Sequence, residues 1–433
     1  MLSKKKYNLK VEKTSSLRGK IQAPPSKSYT IRAIICAGLN GKVKIFNPLY
    51  SQDTEAAIEA LRRLGAIIKR SKGFLEVKGF RGLPYLKSAS LNVGESATLL
   101  RLVLPVIALG QGRFRVNGKG TLLQRSNKPI AEALLSLGVN IKGKDRDFRL
   151  PISIEGNGRI PGGEVKVSAK MSSQTISSLL NVAPLAMQDT KIIVRDKAVS
   201  RPYIDITLDV LRQAGIKIRR QGYDNFFIKS GQKFKFKRGF TVGGDYSSAA
   251  FLITAGCLVA SDLVISDMSK DKQGDRQIIS ILNSMGARIR QTKNEVRIKG
   301  PFELKGRDID CGDTPDLVPV LAVAACFARG KTRIYNIGHL ANKESNRITA
   351  PAGELRKLGA RISLNSDNLT IEESTLGPGI VSGCNDHRIA MALAVAGIRA
   401  GGIVIKGVEC IRKSYPRFVL DMKSLGAKLI VDE

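Results

Sequence analysis

The sequence predicts an α/β (α+β) fold of two domains, each assembled from three copies of one unit of about 70 residues. Three observations carry this. A helix-stop pattern recurs six times at nearly even spacing. A small or polar cluster, followed by an apolar stretch, recurs six times in step with it. At 433 residues the chain also exceeds one ordinary domain, and two of about 200 residues are expected.

The stop pattern is an apolar run, a glycine, a small residue and a strand-like segment. Its copies are Leu61-Arg62-Arg63-Leu64-Gly65-Ala66, Leu134-Leu135-Ser136-Leu137-Gly138-Val139, Val210-Leu211-Arg212-Gln213-Ala214-Gly215, Ile281-Leu282-Asn283-Ser284-Met285-Gly286, Glu354-Leu355-Arg356-Lys357-Leu358-Gly359 and Asp421-Met422-Lys423-Ser424-Leu425-Gly426. Each reads as the end of an amphipathic helix, with glycine in the left-handed conformation ahead of a strand.

About 40 residues before each glycine lies the second signature. The clusters are Ser26-Lys27-Ser28, Glu95-Ser96-Ala97-Thr98, Ser172-Ser173-Gln174, Asp245-Tyr246-Ser247-Ser248, Asp313-Thr314-Pro315-Asp316 and Asn385-Asp386-His387-Arg388. Serine, threonine, aspartate and asparagine cap helix N-termini. The helices that follow, such as 318–328 and 389–396, are apolar all round and are expected to be buried. One unit thus holds a buried helix, an amphipathic helix and short strands. The charged 229–244 stretch separates units three and four, and 11–22 is assigned to the far domain. The expected domains are 23–241 and 1–22 plus 242–433, with the site in the cleft between them and two hinge strands to open and close it.

Composition narrows the function. No apolar run reaches the length of a membrane span. Lys4-Lys5-Lys6 has no apolar stretch behind it, so no secretory signal is expected. Six dispersed cysteines and two histidines, His339 and His387, form no metal-ligand cluster; free thiols in a reducing cytoplasm are expected. The net charge of +34 raises the question of nucleic acid, but the excess is spread along the chain, aromatics are 5% and tryptophan is absent, leaving few stacking platforms. An anionic small-molecule substrate is the better account of the cations at helix starts.

Each helix start offers unpaired N–H groups and partial positive charge, worth about 0.3–2 kcal/mol to an anion. Lys27, Arg32, Arg101, Arg201, Lys343, Arg347, Arg388 and Lys413 cluster there, each able to add about 1.5–3 kcal/mol through a charge-assisted bond. If the stretch Asn342-Lys343-Glu344-Ser345-Asn346-Arg347 opens a helix, Lys343 and Arg347 share one face and Glu344 lies a quarter-turn away; 348–360 reads as an amphipathic helix ending at glycine. No phosphate-binding loop of Gly-rich type and no nucleophile elbow occurs. What remains is cofactor-free, metal-free acid–base chemistry, with Asp316 and Glu344 as the carboxylates. Proximity to substrate phosphates is expected to raise the pKa of such a group.

These residues resemble the enolpyruvyl transferases of the 5-enolpyruvylshikimate-3-phosphate (EPSP) synthase family. The resemblance rests on Pro25-Ser26-Lys27-Ser28 with Arg32, Ser172-Ser173-Gln174, Ser200-Arg201-Pro202-Tyr203-Ile204-Asp205-Ile206-Thr207, Pro315-Asp316, Lys343-Glu344-Ser345-Asn346-Arg347, Asn385-Asp386-His387-Arg388 and Lys413-Ser414-Tyr415-Pro416. It implies two domains of three βαβαββ units with buried parallel helices, an inside-out α/β barrel. The implied reaction transfers the enolpyruvyl group of phosphoenolpyruvate to the 5-hydroxyl of shikimate 3-phosphate, without cofactor or metal, in a cytoplasmic monomer. Asp316, Glu344 and Lys27 are the implied catalytic residues. Lys27, Ser28, Arg32, Ser172, Ser173, Gln174, Ser200, Tyr203, Asp316 and Lys343 are implied to bind shikimate 3-phosphate. Lys27, Ser96, Ala97, Thr98, Lys128, Gln174, Arg347, Arg388 and Lys413 are implied to hold phosphoenolpyruvate.

Three positions depart from the family's pattern. Glu95-Ser96-Ala97-Thr98 stands where Asn-Ala-Gly-Thr is usual, Lys128 precedes Pro129-Ile130 where arginine is usual, and His339 replaces an asparagine of some members. Ala97 is expected to narrow the phosphoenolpyruvate pocket against glyphosate. Lysine lacks the bidentate grip of arginine, which Arg125 is placed to supply. The alternative readings are UDP-N-acetylglucosamine enolpyruvyl transferase, whose characteristic cysteine is missing from 110–129, a basic nucleic-acid-binding repeat protein, and an inactive paralogue.

Overall fold

The computed structural model describes residues 7–85 and 90–432; Lys4, Lys5 and Lys6 lie outside them. In chain order its α-helices are α1 (Lys27–Leu39), α2 (Gln52–Arg63), α3 (Ala97–Ala108), α4 (Lys128–Ser136), α5 (Gln174–Val182), α6 (Pro202–Gln213), α7 (Tyr246–Leu258), α8 (Ile278–Ser284), α9 (Val318–Cys326), α10 (Thr349–Lys357), α11 (His387–Ala400) and α12 (Phe418–Ser424). Odd and even helices differ as the repeats predict. Every residue of α7 and α9 is buried, whereas α2 and α10 bury one face and expose the other.

All six expected stop glycines take positive φ, from +76° at Gly138 to +112° at Gly286. In each case the residue after glycine donates its N–H to the carbonyl five positions back, as in Ala66 to Leu61 and Ala427 to Met422. This closes the helix with a Schellman motif and aims the chain into the next strand.

The described strands form six four-stranded sheets. The third repeat shows the plan. Gly163–Val167 leads through α5 to Thr190–Val194, which pairs with it in parallel. After α6, Ile218–Gln221 and Asn225–Ile228 form a hairpin that adds antiparallel. The order in space is first, second, fourth, third strand. Residues alternate along the strands: in Lys331–Tyr335, Thr332 and Ile334 are buried while Lys331 and Arg333 are exposed, and in Thr190–Val194, Ile192 and Val194 are buried while Lys191 is half-buried.

Chain order and spatial order part company in three strands. Phe240–Thr241 adds parallel to Lys42–Phe46 of the first repeat. Ser16–Gln22 adds parallel to Ala260–Ser266 of the fourth. Asn8–Val11 lies inside the sixth sheet, antiparallel to both Ile403–Lys406 and Leu429–Asp432. With these exchanges every repeat reads βαβαββ in space. The chain separates into two compact units, Pro25–Gly243 (the central unit) and residues up to Pro24 with those from Gly244 on (the split unit). Each has its own continuous apolar core. The six cysteines are free.

The N-terminal strand reaches the interior of its sheet because α11 carries Gly397. A Cβ at that position would lie 2.7 Å from Val11 Cβ and Cγ1 and 3.4 Å from Ile403. Gly397→Leu is therefore expected to lower stability by about 1–3 kcal/mol, the range for overpacking a core. Urea unfolding would show it, with Gly353→Leu, where an added Cβ meets nothing within 4 Å, as the tolerated control.

Candidate functional site

The starts of the buried helices collect the polar residues, and each compact unit holds its own cluster. In the central unit Ser26 caps α1 and accepts the Tyr29 N–H. This leaves Lys27 and Ser28 at the first turn. Lys27 Nζ lies 3.1 Å from Asp53 Oδ2, in the first turn of α2. One turn on, Arg32 is buried and spans to α6. Its Nε donates to Thr207 Oγ1 at 2.7 Å, Nη1 to the Ser28 carbonyl at 3.1 Å and Nη2 to the Tyr203 carbonyl at 3.3 Å. Burial brings its pKa down to about 10, so it stays a cation. Arg32 thus fixes Ser28 against Tyr203.

A second link joins α3 to α5. Arg101 Nη1 donates to Gln174 Oε1 at 2.7 Å, and Gln174 Nε2 donates to Thr98 Oγ1 at 3.0 Å. Ser172 Oγ accepts the Gln174 N–H at 3.2 Å. Ser173 precedes α5 without a side-chain cap, unlike Ser26 and Ser96. Ser200 holds φ +54°, a conformation uncommon for a residue with a side chain, and its carbonyl accepts the Tyr203 N–H as α6 begins.

The split unit holds the carboxylates. Arg347 is 2% exposed. Its Nη1 donates to Asp316 Oδ1 at 2.6 Å, Nη2 to Glu344 Oε2 at 2.8 Å, and Nε and Nη2 to the two oxygens of Asp386 at 2.7 and 3.1 Å. Arg388 Nη2 reaches Asp316 Oδ2 at 3.2 Å, while its buried Nε and Nη1 have no hydrogen-bond partner among the described residues. Lys413 Nζ donates to the Asn385 carbonyl at 3.0 Å. Asp386 caps α11, accepting the Arg388 N–H, so one residue both starts the helix and anchors Arg347.

The structure corrects two expectations here. The 342–347 stretch does not open a helix. It follows a 3-10 turn, Gly338–Asn342, as a bend, and α10 starts at Thr349. Asn346 Oδ1 accepts the N–H groups of Ile348 and Thr349, so asparagine ends the bend and begins the helix. Asp316 is not raised in pKa. Burial would push it up, but the guanidiniums of Arg388 and Arg347 and the ammonium of Lys343 outweigh burial and hold it well below the usual carboxylate range.

The profile of a protein family described as EPSP synthase (3-phosphoshikimate 1-carboxyvinyltransferase) matches residues 11–422. The chain belongs to the EPSP synthase family. The 3-phosphoshikimate 1-carboxyvinyltransferase of Methanocaldococcus jannaschii is 41% identical over 432 residues, 98% of this chain and all of that protein. The one from Methanococcus aeolicus is 40% identical over 435 residues, 97% of this chain and 99% of the relative. Among solved structures, EPSP synthase from Acinetobacter baumannii superposes with a TM-score of 0.82 at 25% identity, over 99% of this chain and all of that one. The fold expected from the repeats is thereby the family's.

The departures from the family pattern have local explanations. The Glu95 carboxyl lies against Gly120, where an added Cβ would be 2.5 Å from Glu95 Cδ and Oε1. It is folded onto the 3-10 turn Gly120–Gln124. Lys128 lies half-exposed, 3.7 Å from Glu132 one turn along α4, an arrangement of little energetic weight. Ala97 is buried as the first residue of α3. Burial and the neighbouring Lys343 bring His339 down to about 3, so it is neutral at physiological pH.

Sequence reading missed Asp53, the carboxylate facing Lys27, and named Asp386 only within a helix-start cluster, not as the partner of Arg347. Both sit in the first turn or at the cap of a helix, where aspartate is explained by capping alone, so nothing local marks them out. The depressed pKa of Asp316 gives a signed prediction. A lowered folded-state pKa contributes stability that is full above the unfolded value of about 3.9 and fades as pH falls through the folded value. Asp316→Asn is therefore expected to lose about 1.5–3 kcal/mol at pH 7, the range for a hydrogen bond to a charged group, with the gap to wild type closing below about pH 4. Urea unfolding at stepped pH would measure it.

Proposed function

We propose that the chain is a 3-phosphoshikimate 1-carboxyvinyltransferase, moving the enolpyruvyl group of phosphoenolpyruvate to the 5-hydroxyl of shikimate 3-phosphate and releasing phosphate. The observation that carries this reading is the Arg347 fork, which holds Asp316 and Glu344 at 2.6 and 2.8 Å on one guanidinium. Addition–elimination needs two proton-transfer groups side by side: one for the attacking hydroxyl, one for the methylene carbon. Asp316, kept ionised by its cations, accepts the 5-hydroxyl proton as that oxygen attacks C2 and passes it to the departing phosphate. Glu344 enters as the acid, gives its proton to C3 and takes one back from C3 as the C2–O bond to phosphate breaks. Both carboxylates end as they began, the hydroxyl proton leaves on phosphate, and no redox step arises.

Lys27, Ser28, Arg32, Ser172, Ser173, Gln174, Ser200, Tyr203, Asp316 and Lys343 are assigned to shikimate 3-phosphate. Arg32 uses three of its five N–H bonds within the protein, leaving two for a carboxylate beside Ser28 and Tyr203. Lys27, Ser96, Ala97, Thr98, Lys128, Gln174, Arg347, Arg388 and Lys413 are assigned to phosphoenolpyruvate. The two bare, buried nitrogens of Arg388 are the strongest of these, since a buried cation with unused donors favours a charge-assisted anion contact. This reading requires both sets to serve one substrate pair. Free, mostly buried thiols support a cytoplasmic location, and no described helix is long and apolar enough to cross a membrane. A monomer is the proposed state, and nucleic acid is not a proposed partner.

Two measurements test the reading. Phosphate release from phosphoenolpyruvate should require shikimate 3-phosphate and fall roughly 10²–10⁴-fold in Glu344→Gln; release that is indifferent to shikimate 3-phosphate would overturn it. The Ala97 methyl lies at the start of α3, where a longer anion would need room. Wild type should resist glyphosate, and Ala97→Gly should lower the inhibitory concentration by roughly tenfold or more. Tight, phosphoenolpyruvate-competitive inhibition of the wild type would remove the assigned role of Ala97.

A further inference from the structure

Against the first turn of α7 lies a carboxylate that the proposed reaction does not use. Asp275 belongs to the 3-10 turn Gly274–Gln277 and is 2% exposed. Ser247, in the first turn of α7, donates its hydroxyl to Asp275 Oδ2. The other oxygen, Oδ1, is buried with no hydrogen-bond partner among the described residues. One turn along α7 from Ser247, on the same helix face, the ring of Phe251 lies 6.0 Å from the Arg388 guanidinium carbon. Asp275 and Arg388 therefore approach one face of α7 from two different elements. Each brings unsatisfied polar atoms: Oδ1 on the acid, Nε and Nη1 on the base. Burying both without mutual compensation would cost several kcal/mol per ion.

We infer that Asp275 is a second counter-ion of Arg388, and that its charge sets how tightly Arg388 grips the carboxylate or phosphate of an incoming substrate. The identity of that substrate rests on the proposed function. With Asp275 ionised, Arg388 is balanced from two sides, by Asp316 and Asp275, and offers little net charge to an anion. With Asp275 neutral, Arg388 is balanced by Asp316 alone, which leaves the Nε and Nη1 edge to the substrate. Asp275 is a positioning residue here, since it acts through Arg388 and not on reacting atoms.

The groups facing Asp275 decide where it switches. Burial raises its pKa first, Asp316 ahead of α9 and Asp245 at the cap of α7 raise it further, and Ser247 and Arg388 oppose them, leaving it at about 7. Cys311 lies within range but stays neutral, with its own pKa at about 12. Helix α8, which also packs on the turn, carries no titratable side chain. The switch therefore falls in the physiological range.

The test uses the full purified chain, wild type beside Asp275→Asn, with two readouts. The first is the pH titration of the Arg388 Nε–Hε resonance in unliganded protein. An inflection near pH 7 is expected in the wild type; its absence overturns the inference whatever the enzyme does, even should Asp275→Asn fail to fold. The second is the KM for phosphoenolpyruvate at pH 6 and pH 8. Ionisation of phosphoenolpyruvate itself is common to both proteins and cancels in their ratio. KM should be equal at pH 6 and roughly tenfold lower in Asp275→Asn at pH 8, with kcat nearly unchanged. Equal KM at both values, with the wild type active, overturns the control of substrate grip. A wild type silent in the assay but showing the inflection overturns the proposed function and leaves the Asp275–Arg388 pair standing.

Discussion

Arg347 donates to Asp316, Glu344 and Asp386 at once, and much of the split unit follows from that one buried guanidinium. A cation taken out of water costs several kcal/mol unless its donors are matched. Here the matching carboxylates come from three places: the turn before α9, the bend before α10 and the cap of α11. Satisfying Arg347 therefore fixes three helix starts relative to one another. It also helps to hold Asp316 ionised, since a neighbouring guanidinium favours the charged carboxylate. The same contact that anchors the fold positions the two groups proposed for proton transfer. Taking one carboxylate away would strand the cation as well as remove an acid.

The repeat architecture explains why such contacts are available. A helix that is apolar on all sides has only its ends to offer in polar chemistry. The βαβαββ repeats bury their odd helices lengthwise, and within each compact unit the N-termini collect polar residues. Those that solve the local problem of capping, such as Ser26 and Ser96 in the central unit and Asp245 and Asp386 in the split unit, thereby stand at helix starts, where anions are favoured. The exchanged strands Ser16–Gln22 and Phe240–Thr241 keep this plan intact across the points where the chain passes from one compact unit to the other.

Periodic features were the legible ones. The six glycines at positive φ and the apolar odd helices follow from rules acting within a few residues, so the sequence declares them. The site was legible only as residue types at helix starts: Lys27, Asp316, Glu344, Arg347 and Arg388 could be named, but not their partners. Which acid faces which base depends on neighbours far along the chain, 39 residues away for Arg347 and Asp386 and 26 for Lys27 and Asp53. The same gap explains the error on Asp316. Its expected pKa was reasoned from a substrate, whereas its folded neighbours are two guanidiniums. The bend at 342–347 was missed for a local reason: Asn346 caps the following turn with its own side chain, and the charged residues before it carry no periodicity.

Asp275 extends the logic by one step. Arg347 spends four of its five N–H donors on carboxylates, and so serves mainly to hold them, with one donor left for a substrate anion. Arg388 is not saturated, and an unsaturated buried cation is the form in which a protein stores affinity for an anion that arrives later. How much it stores depends on every counter-charge within reach. Asp316 is fixed by its two guanidiniums and stays ionised across the working range. Asp275 faces mainly burial and other acids, with Ser247 as its one hydrogen-bond donor among the described residues. Of the two acids beside Arg388, it is the one whose charge can change without disturbing the acid–base pair. Affinity for the anionic substrate is then adjustable separately from the proton transfers, because the two depend on different carboxylates joined through one arginine.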